Sequence, residues 1–181
     1  MKSPDIKEKD LISKCIDGDG NAQRQLYQQY VKAMYNTAIR IVANRADAED
    51  VIQESFVQVF RNLHSFHGDA SLGSWIKRIT INSAISHIRK HRKFRLVDVD
   101  DNFDWPEPEE EAVYAPVDME SVHHAIKQLP DGGREILSLY LLEGYQHKEI
   151  AQILNITEST SKTQYRRAKG QLQQLLEPKL S

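Results

Sequence analysis

The stretch EGYQHKEIAQILNITESTSKTQYRRAKGQL, residues 143–172, has the layout of a helix-turn-helix. Its first part carries apolar residues at helical spacing, namely Ile150, Ala151 and Leu154. A turn is predicted around Asn155-Ile156. Thr157 suits the N-cap of a second helix because its hydroxyl can accept an orphan backbone N–H. The stretch therefore predicts a short helix, a tight turn and a longer helix.

The second helix of this motif has two chemically different sides. The inner side is formed by Ser161, Tyr165, Ala168, Leu172 and Leu176. The outer side carries Lys162, Thr163, Arg166 and Arg167. Cations and a hydroxyl in front of an apolar back suit a helix in the major groove, since Lys and Arg neutralise phosphate and Arg also pairs with guanine edges. The alternative is a solvated basic face on a packing helix.

Outward from this motif, nearly the whole chain has the pattern of α-helix, because apolar residues recur at helical spacing. Helices are predicted over about 5–17, 20–43, 46–64, 74–93, 118–128, 131–143, 147–154 and 158–176. In the sixth of these, Gly132-Gly133 predicts a delayed start at Arg134.

Residues 96–117 break the helical pattern, because they are acidic and contain three prolines. Such a segment buries too little apolar surface to offset its ordering entropy and is predicted to be a flexible linker. The expected fold class is therefore all-α. Two small helical domains, residues 1–95 and 118–181, are joined by the acidic linker 96–117, and the second domain contains the helix-turn-helix.

Charge is distributed unevenly, although the formal net charge is only −2. Residues 70–97 contain seven Lys/Arg and no Asp/Glu, whereas residues 96–120 contain ten Asp/Glu and no Lys/Arg. Such asymmetry indicates interaction surfaces. The start, MKSPDIKEKD, lacks the apolar core of a signal peptide, and no stretch is long and apolar enough to span a membrane. With a single cysteine, Cys15, the chain is expected to be cytoplasmic.

The segment DAEDVIQESFVQVF, residues 47–60, predicts a helix with an apolar inner side and an acidic outer side. The inner side comprises Ile52, Phe56, Val59 and Phe60, with Leu63 beyond the segment. The outer side comprises Asp47, Asp50, Gln53 and Glu54. Because DNA repels carboxylates, this outer side is expected to meet a basic protein surface or solvent.

The helix WIKRITINSAISHIRKHRKFR, residues 75–95, crowds cations at its C-terminal end. The helix dipole favours cations there, but their number exceeds what capping needs. Trp75, Asn82 and the preceding polar loop lie within reach of the same region. Aromatic and amide groups beside a cationic track suit unstacked single-stranded bases.

Two patterns could hold a metal ion, and both are weak. His87 and His91 have the i, i+4 spacing of a zinc pair, but their neighbours are cationic. A calcium-loop pattern is formed by Asp98, Asp100, Asn102 and Glu109, yet Phe103 replaces the turn glycine. No phosphate-cradling glycine loop or nucleophile elbow is found. The chain is expected to be neither an enzyme nor a binder of metals or cofactors.

The order of these segments resembles that of bacterial RNA polymerase sigma factors of the extracytoplasmic-function (ECF) group. The most specific stretches are DAEDVIQESF, then FHGD followed by SW and IN, and LP followed by REIL and EIA. The resemblance covers about residues 10–176. It implies an alternative sigma factor that directs core polymerase to promoters, with region 2 in the first domain and region 4 in the second. It also implies an anti-sigma factor as partner.

The resemblance further implies a role for each surface. Core polymerase would be bound through its clamp helices by Asp47, Asp50, Gln53 and Glu54. The −10 element, melted and with one base turned out, would be contacted by Phe66, Trp75, Lys77, Arg78, Asn82, Arg89 and Arg92. The −35 duplex of promoter DNA would be read by Lys162, Thr163, Arg166 and Arg167. The acidic linker would follow a basic polymerase channel.

Two departures from the family pattern fall on the recognition helix. The family usually has Gly-Thr-Val at 159–161, where this chain has Ser159-Thr160-Ser161. Serine cannot make the apolar contact of valine with Ile156, so a looser start of the helix is expected. In addition, Tyr165 stands where a smaller aliphatic residue is usual.

Two other classes of function stay open on the residues alone. A helix-turn-helix repressor or activator that does not bind core polymerase would dimerise on a palindromic site. A metal-dependent nucleic-acid enzyme would bind a metal ion and turn over DNA.

Overall fold

The structure, a computed structural model, describes residues 6–92 and 119–176. These two ranges contain eight α-helices and no strand, which confirms the all-α fold class. The helices are α1 Ile6–Ile16, α2 Gly20–Val42, α3 Arg45–Asn62, α4 Leu72–Arg92, α5 Met119–Gln128, α6 Asp131–Leu137, α7 His147–Leu154 and α8 Glu158–Leu176.

The chain divides into two compact units, residues 1–89 and 90–181, within which Cα atoms lie close to one another. The predicted linker 96–117 and its calcium-loop pattern lie outside the described residues. The limits expected for the two domains, 1–95 and 118–181, therefore stay predictions.

The first unit is built on α2 and α3, which pack against each other. Ala43 ends α2 with a left-handed φ of 57°, and its N–H donates to the carbonyl of Ile39. Asn44 caps α3, because its side-chain oxygen accepts the N–H of Asp47 at 3.1 Å. This short connection turns α3 back on α2. The buried side chains include Leu26, Met34, Ala38, Ile41, Val51, Ile52, Phe56 and Val59.

α4 starts at Leu72, earlier than the predicted start near residue 74. The cause is Ser71, whose hydroxyl accepts the N–H of Ser74 at 3.2 Å and so satisfies an orphan donor of the first turn. Gly73 allows α4 to approach α2, since a Cβ there would stand 3.1 Å from a ring carbon of Tyr30. The buried side of α4 comprises Leu72, Ile76, Ile81, Ala84, Ile85 and Ile88.

In the second unit, α6 starts at Asp131, so the predicted start at Arg134 is wrong. A Cβ at Gly133 would stand 3.0 Å from the Cβ of Ala168, which shows that the glycine permits close packing of α6 on α8. Tertiary packing therefore overrides the low helix propensity of glycine. One buried apolar cluster of this unit comprises Ala125, Ile126, Leu129, Leu137, Ala168 and Leu172.

The helix predicted over 131–143 changes character at Ser138. Residues Ser138–Leu142 form a π-helical turn, in which the N–H of Glu143 donates to the carbonyl of Ser138 at 3.1 Å. Leu139 is buried, whereas Tyr140 and Leu141 are 37% and 47% exposed. Such turns often occur at functional positions.

α7 and α8 form the predicted helix-turn-helix. Asn155 ends α7 with a left-handed φ of 56°. The hydroxyl of Thr157 accepts the N–H of Thr160 at 3.0 Å, which confirms Thr157 as the cap of α8. The predicted inner side of α8 is also confirmed, because Ser161, Ala168 and Leu172 are buried.

Candidate polymerase-binding and nucleic-acid-binding surfaces

The outer side of α3 presents the predicted acidic surface. Asp50, Gln53 and Glu54 are exposed. Asp47 differs from them, because it is only partly exposed and its Oδ1 lies 3.2 Å from Nε2 of His87 in α4. Three of the four predicted polymerase-binding residues thus face solvent, while the fourth also links two helices.

Val57 lies on the same outer side of α3 and was not predicted from the sequence. It is 48% exposed and follows Gln53 and Glu54 by about one helical turn. An exposed valine is common and needs no explanation by itself. Its position could have identified it in the sequence, because Val57 lies outside the apolar side of the helix and in line with Asp50 and Glu54. An apolar side chain among exposed polar groups suits a surface that docks on a protein.

The exposed side of α4 aligns four of the residues predicted to contact the −10 element. Trp75, Arg78, Asn82 and Arg89 follow each other at a spacing that keeps them on one side of the helix. The line extends over about 21 Å at the usual rise per residue. Arg78, Asn82 and Arg89 are exposed, and Trp75 is partly exposed. We call these four residues the α4 stripe.

Two other residues predicted for the −10 element stand apart from the α4 stripe. Lys77 projects from a different side of α4 and is only partly exposed, so the structure does not bring it into the line. Arg92 is the last residue of α4, and its side chain lies outside the described residues.

Phe66 and Trp75 form an aromatic pair at the beginning of the α4 stripe. Their ring centroids are 5.6 Å apart and the rings are inclined by 57°. Phe66 is held by its N–H, which donates to the carbonyl of the buried Leu63 at 3.1 Å. Both rings are partly exposed, which a platform for base stacking requires.

The outer side of α8 presents Lys162, Thr163 and Arg166 to solvent. Lys162 forms an ion pair of 2.7 Å with Glu158, and the hydrogen bond and charge of Lys162 lower the pKa of that carboxyl. Arg167 is only partly exposed. Lys169 is exposed and lies two helical turns after Lys162, so it adds a cation to this side that sequence reasoning missed.

The two histidines with zinc-pair spacing have different surroundings. His87 lies against Asp47, whereas His91 is exposed. Across residues 6–92 and 119–176, His, Cys, Asp and Glu form no group of three or more that could hold a metal ion. Within the same ranges, no helix combines the length and apolar character needed to cross a membrane.

Comparison with known proteins shows the family to which the chain belongs. The model of Sigma-70 region 2 matches residues 26–94, and that of Sigma-70 region 4 matches residues 119–172. The RNA polymerase sigma factor SigV of Bacillus subtilis strain 168 is 30% identical over 134 residues, which cover 74% of this chain and 78% of SigV. The ECF RNA polymerase sigma factor SigM of the same strain is 28% identical over 155 residues, covering 83% of this chain and 93% of SigM.

The chain belongs to the ECF group of RNA polymerase sigma factors. A solved structure, the sigma factor RpoE of Bartonella quintana in complex with the anti-sigma factor NepR, is similar to this ECF sigma factor. The identity is 25%, the TM-score is 0.56, and the match covers 85% of this chain and 96% of RpoE.

The two regional matches contain all the surfaces described above. The region 2 match includes the acidic side of α3 and the α4 stripe, while α1 precedes it. The region 4 match includes the outer side of α8 up to and beyond Lys169. This sigma factor therefore carries its acidic surface and its two cationic surfaces within the parts that define the family.

Proposed function

We propose that this ECF sigma factor binds core RNA polymerase through the acidic side of α3 and promoter DNA through two separate surfaces, the α4 stripe and the outer side of α8. The separation of charges supports this proposal. Exposed carboxylates lie on α3, and exposed cations lie on α4 and α8. The carboxylates of α3 would therefore meet a basic protein surface, and the cations of α4 and α8 would meet DNA phosphates.

The acidic side of α3 suits a basic protein surface. Asp50 and Glu54 can attract cations of the partner and repel DNA, which favours specificity and rapid encounter more than affinity. Gln53 adds a neutral hydrogen-bonding group. Val57 adds apolar area, whose removal from water contributes affinity in proportion to the area buried. The proposed partner surface is the pair of clamp helices in the largest subunit of core polymerase.

The α4 stripe suits the separated strand of the −10 element. Arg78 and Arg89 can neutralise phosphates along the strand. The Phe66–Trp75 pair can stack on an unstacked base, and the amide of Asn82 can bond to a base edge. Turning a base out costs a few kcal/mol, so stacking and edge bonds must hold it.

The outer side of α8 suits the −35 element as a duplex. Lys162 and Arg166 can bind phosphates or guanine edges in the major groove, and Thr163 offers a hydroxyl to either. Lys169, two turns along from Lys162, extends the cationic side toward the backbone of the duplex. Arg167 stays a proposed contact, although it is less exposed than its neighbours.

The proposed regulatory partner is an anti-sigma factor. The family resemblance and the complex of RpoE with NepR support it. A protein that covers the acidic side of α3 would prevent binding to core polymerase. We place this work in the cytoplasm, where polymerase meets the chromosome, and assign no reaction to the sigma factor itself, since nucleotide addition belongs to the polymerase.

Reconstituted transcription tests the proposal. Purified core polymerase with and without this chain is incubated with genomic DNA, and the 5′ ends of the transcripts are sequenced. The proposal predicts start sites that require the chain and share two upstream elements at −10 and −35. Transcription unchanged by the chain, together with dimeric binding to a palindrome, would instead establish a helix-turn-helix regulator that does not use core polymerase.

A further inference from the structure

A polar contact joins the two helices of the helix-turn-helix. Nδ1 of His147, the first residue of α7, and Oγ of Ser161 in α8 lie 2.9 Å apart and share a hydrogen bond. Ser161 is 0% exposed. The start of α7 is itself fixed, because the carboxylate of Glu149 accepts the N–H of Gln146 at 2.8 Å. The imidazole therefore reaches α8 from a fixed position.

Two tyrosines hold the ring of His147 in place. Tyr140, from the π-helical turn, stacks on it with centroids 4.6 Å apart and an inclination of 19°. Tyr165 of α8 meets it edge-on at 5.4 Å, and the two tyrosine rings are 4.6 Å apart. We call Tyr140, His147 and Tyr165 the aromatic cluster. It connects the π-helical turn, α7 and α8.

The cluster lies behind the DNA-facing side of α8. Ser161 directly precedes Lys162, and Tyr165 directly precedes Arg166. Neighbouring residues of one helix have a fixed angle between their side chains. The position of Ser161 and Tyr165 against His147 therefore sets the direction in which Lys162 and Arg166 project. Ser161 and Tyr165, which both depart from the family pattern, thus both contact His147.

We propose that His147 is a positioning residue for promoter recognition: its contacts with Ser161 and Tyr165 set the rotation and depth at which α8 presents Lys162 and Arg166 to the −35 duplex. This inference rests on the proposed role of α8 at the −35 element. In this proposal His147 acts through α8. The serine at position 161, where the family has valine, provides the polar contact between α7 and α8.

The charge state of His147 matters to this arrangement. Burial, and secondarily the charge of Lys162, hold the pKa of His147 below its ordinary value, while Glu158 acts in the opposite direction. The other groups around the ring are Tyr140 and Tyr165, with Lys148 next in the chain. Burial raises the pKa of Tyr165. The neutral imidazole is therefore the form that suits the cluster.

The sign of the pH effect follows from this direction. Because folding lowers the pKa of His147, protons bind more tightly to the unfolded chain. The contribution to stability is intact above the ordinary histidine value of about 6.5 and is lost as pH falls from there toward the lower folded value. A protonated ring would also stand beside Lys162, which opposes the packed arrangement.

The test measures discrimination at the −35 element by the complete chain bound to core polymerase. The probe is a promoter fragment identified by transcript mapping, paired with the same fragment carrying a scrambled −35 element. His147→Phe keeps an aromatic ring but removes Nδ1, and Ser161→Ala removes the hydroxyl. His147→Asn keeps a polar group near the position of Nδ1. His124→Asn, at an exposed histidine of α5, is the matched control.

We expect His147→Phe and Ser161→Ala each to reduce the ratio of binding to the two fragments by about three- to tenfold, as loss of one hydrogen bond allows. The double variant should be no worse than either single variant, because both remove one shared contact. His147→Asn should retain most of the ratio, and His124→Asn all of it. Unchanged ratios, or losses that simply multiply, would overturn the positioning role.

A pH profile separates positioning from a general loss of folding. The wild-type ratio should stay constant above about pH 6.5 and fall as the pH is lowered below that value, whereas His147→Asn should give a flat profile because it cannot titrate there. Identical profiles would overturn the inference even if a variant folds poorly. If the wild-type complex bound the two fragments equally well, the proposed function of α8 would be wrong, and this inference would be wrong with it.

Discussion

The imidazole of His87 in α4 lies against the carboxylate of Asp47 in α3, with Nε2 and Oδ1 3.2 Å apart. The side chain of His87 is only 11% exposed, and that of Asp47 is 40% exposed. The contact joins the helix proposed to bind polymerase to the helix proposed to bind the −10 element. Its two residues are far apart in sequence, so only the folded first unit brings them together.

The coupling between these two residues is the first prediction. A double-mutant cycle with Asp47→Asn and His87→Gln should show a coupling between the two side chains, because each single substitution removes the same contact. A magnitude of about 0.5–1 kcal/mol is expected for a partly exposed pair. Denaturant unfolding of the four proteins measures it. A coupling near zero would show that the contact does not stabilise the first unit.

A second prediction concerns Val57 on the outer side of α3. Val57→Ala should weaken binding to core polymerase by about three- to tenfold, because each buried methylene contributes about 0.8 kcal/mol. Ile16→Ala is the matched control, since Ile16 in α1 is equally exposed at 48%. Surface plasmon resonance with immobilised core polymerase measures both affinities. Equal effects of the two substitutions would remove Val57 from the docking surface.

A third prediction separates Arg78 from Lys77. Arg78→Ala should weaken binding of the sigma–polymerase complex to a single-stranded −10 oligonucleotide and reduce the salt slope by about 0.7, the value for one lost phosphate contact on single strands. Lys77→Ala should change the slope little, because Lys77 lies off the α4 stripe. Fluorescence anisotropy at several salt concentrations gives the slopes. A larger effect at Lys77 would mean that a different side of α4 faces the strand.

A fourth prediction concerns the pair of Glu158 and Lys162 on α8. Glu158→Gln removes a carboxylate from beside the cation and leaves Lys162 available to a phosphate. Binding to the −35 duplex should tighten about two- to fivefold and its salt slope should steepen by about 0.9. Glu120→Gln, at an exposed carboxylate of α5, should change neither quantity. Weaker binding of Glu158→Gln would show that Glu158 itself takes part in recognition.

Local signals in the sequence predicted most of the fold. Thr157 and the apolar spacing of α8 depend on neighbours a few residues away, so a capped helix with an inner and an outer side could be predicted. The missed features depend on other elements. Gly133 lies within α6 because it permits close packing on Ala168, and the π-helical turn at Ser138–Leu142 has no local signature.

The candidate surfaces were predictable to a similar extent. Charge and periodicity identified the acidic side of α3 and the cationic side of α8, because exposure follows from helical spacing. They could not identify the hydrogen bond between His147 and Ser161, which requires α7 and α8 to be placed against each other. Charge alone also grouped Lys77 with Arg78, although residues adjacent in sequence face different sides of a helix.

The charge reversal of α3 tests the central claim most directly. Asp50→Lys with Glu54→Lys should abolish binding to core polymerase, while the affinity of the free chain for promoter duplex stays within about twofold, because exposed substitutions rarely disturb the fold. Asp17→Lys, at an exposed carboxylate elsewhere in the first unit, should affect neither. Binding to polymerase and to duplex is measured on the same preparations. Retained polymerase binding, or equal loss of both affinities, would contradict the assignment of the acidic side of α3 to the polymerase.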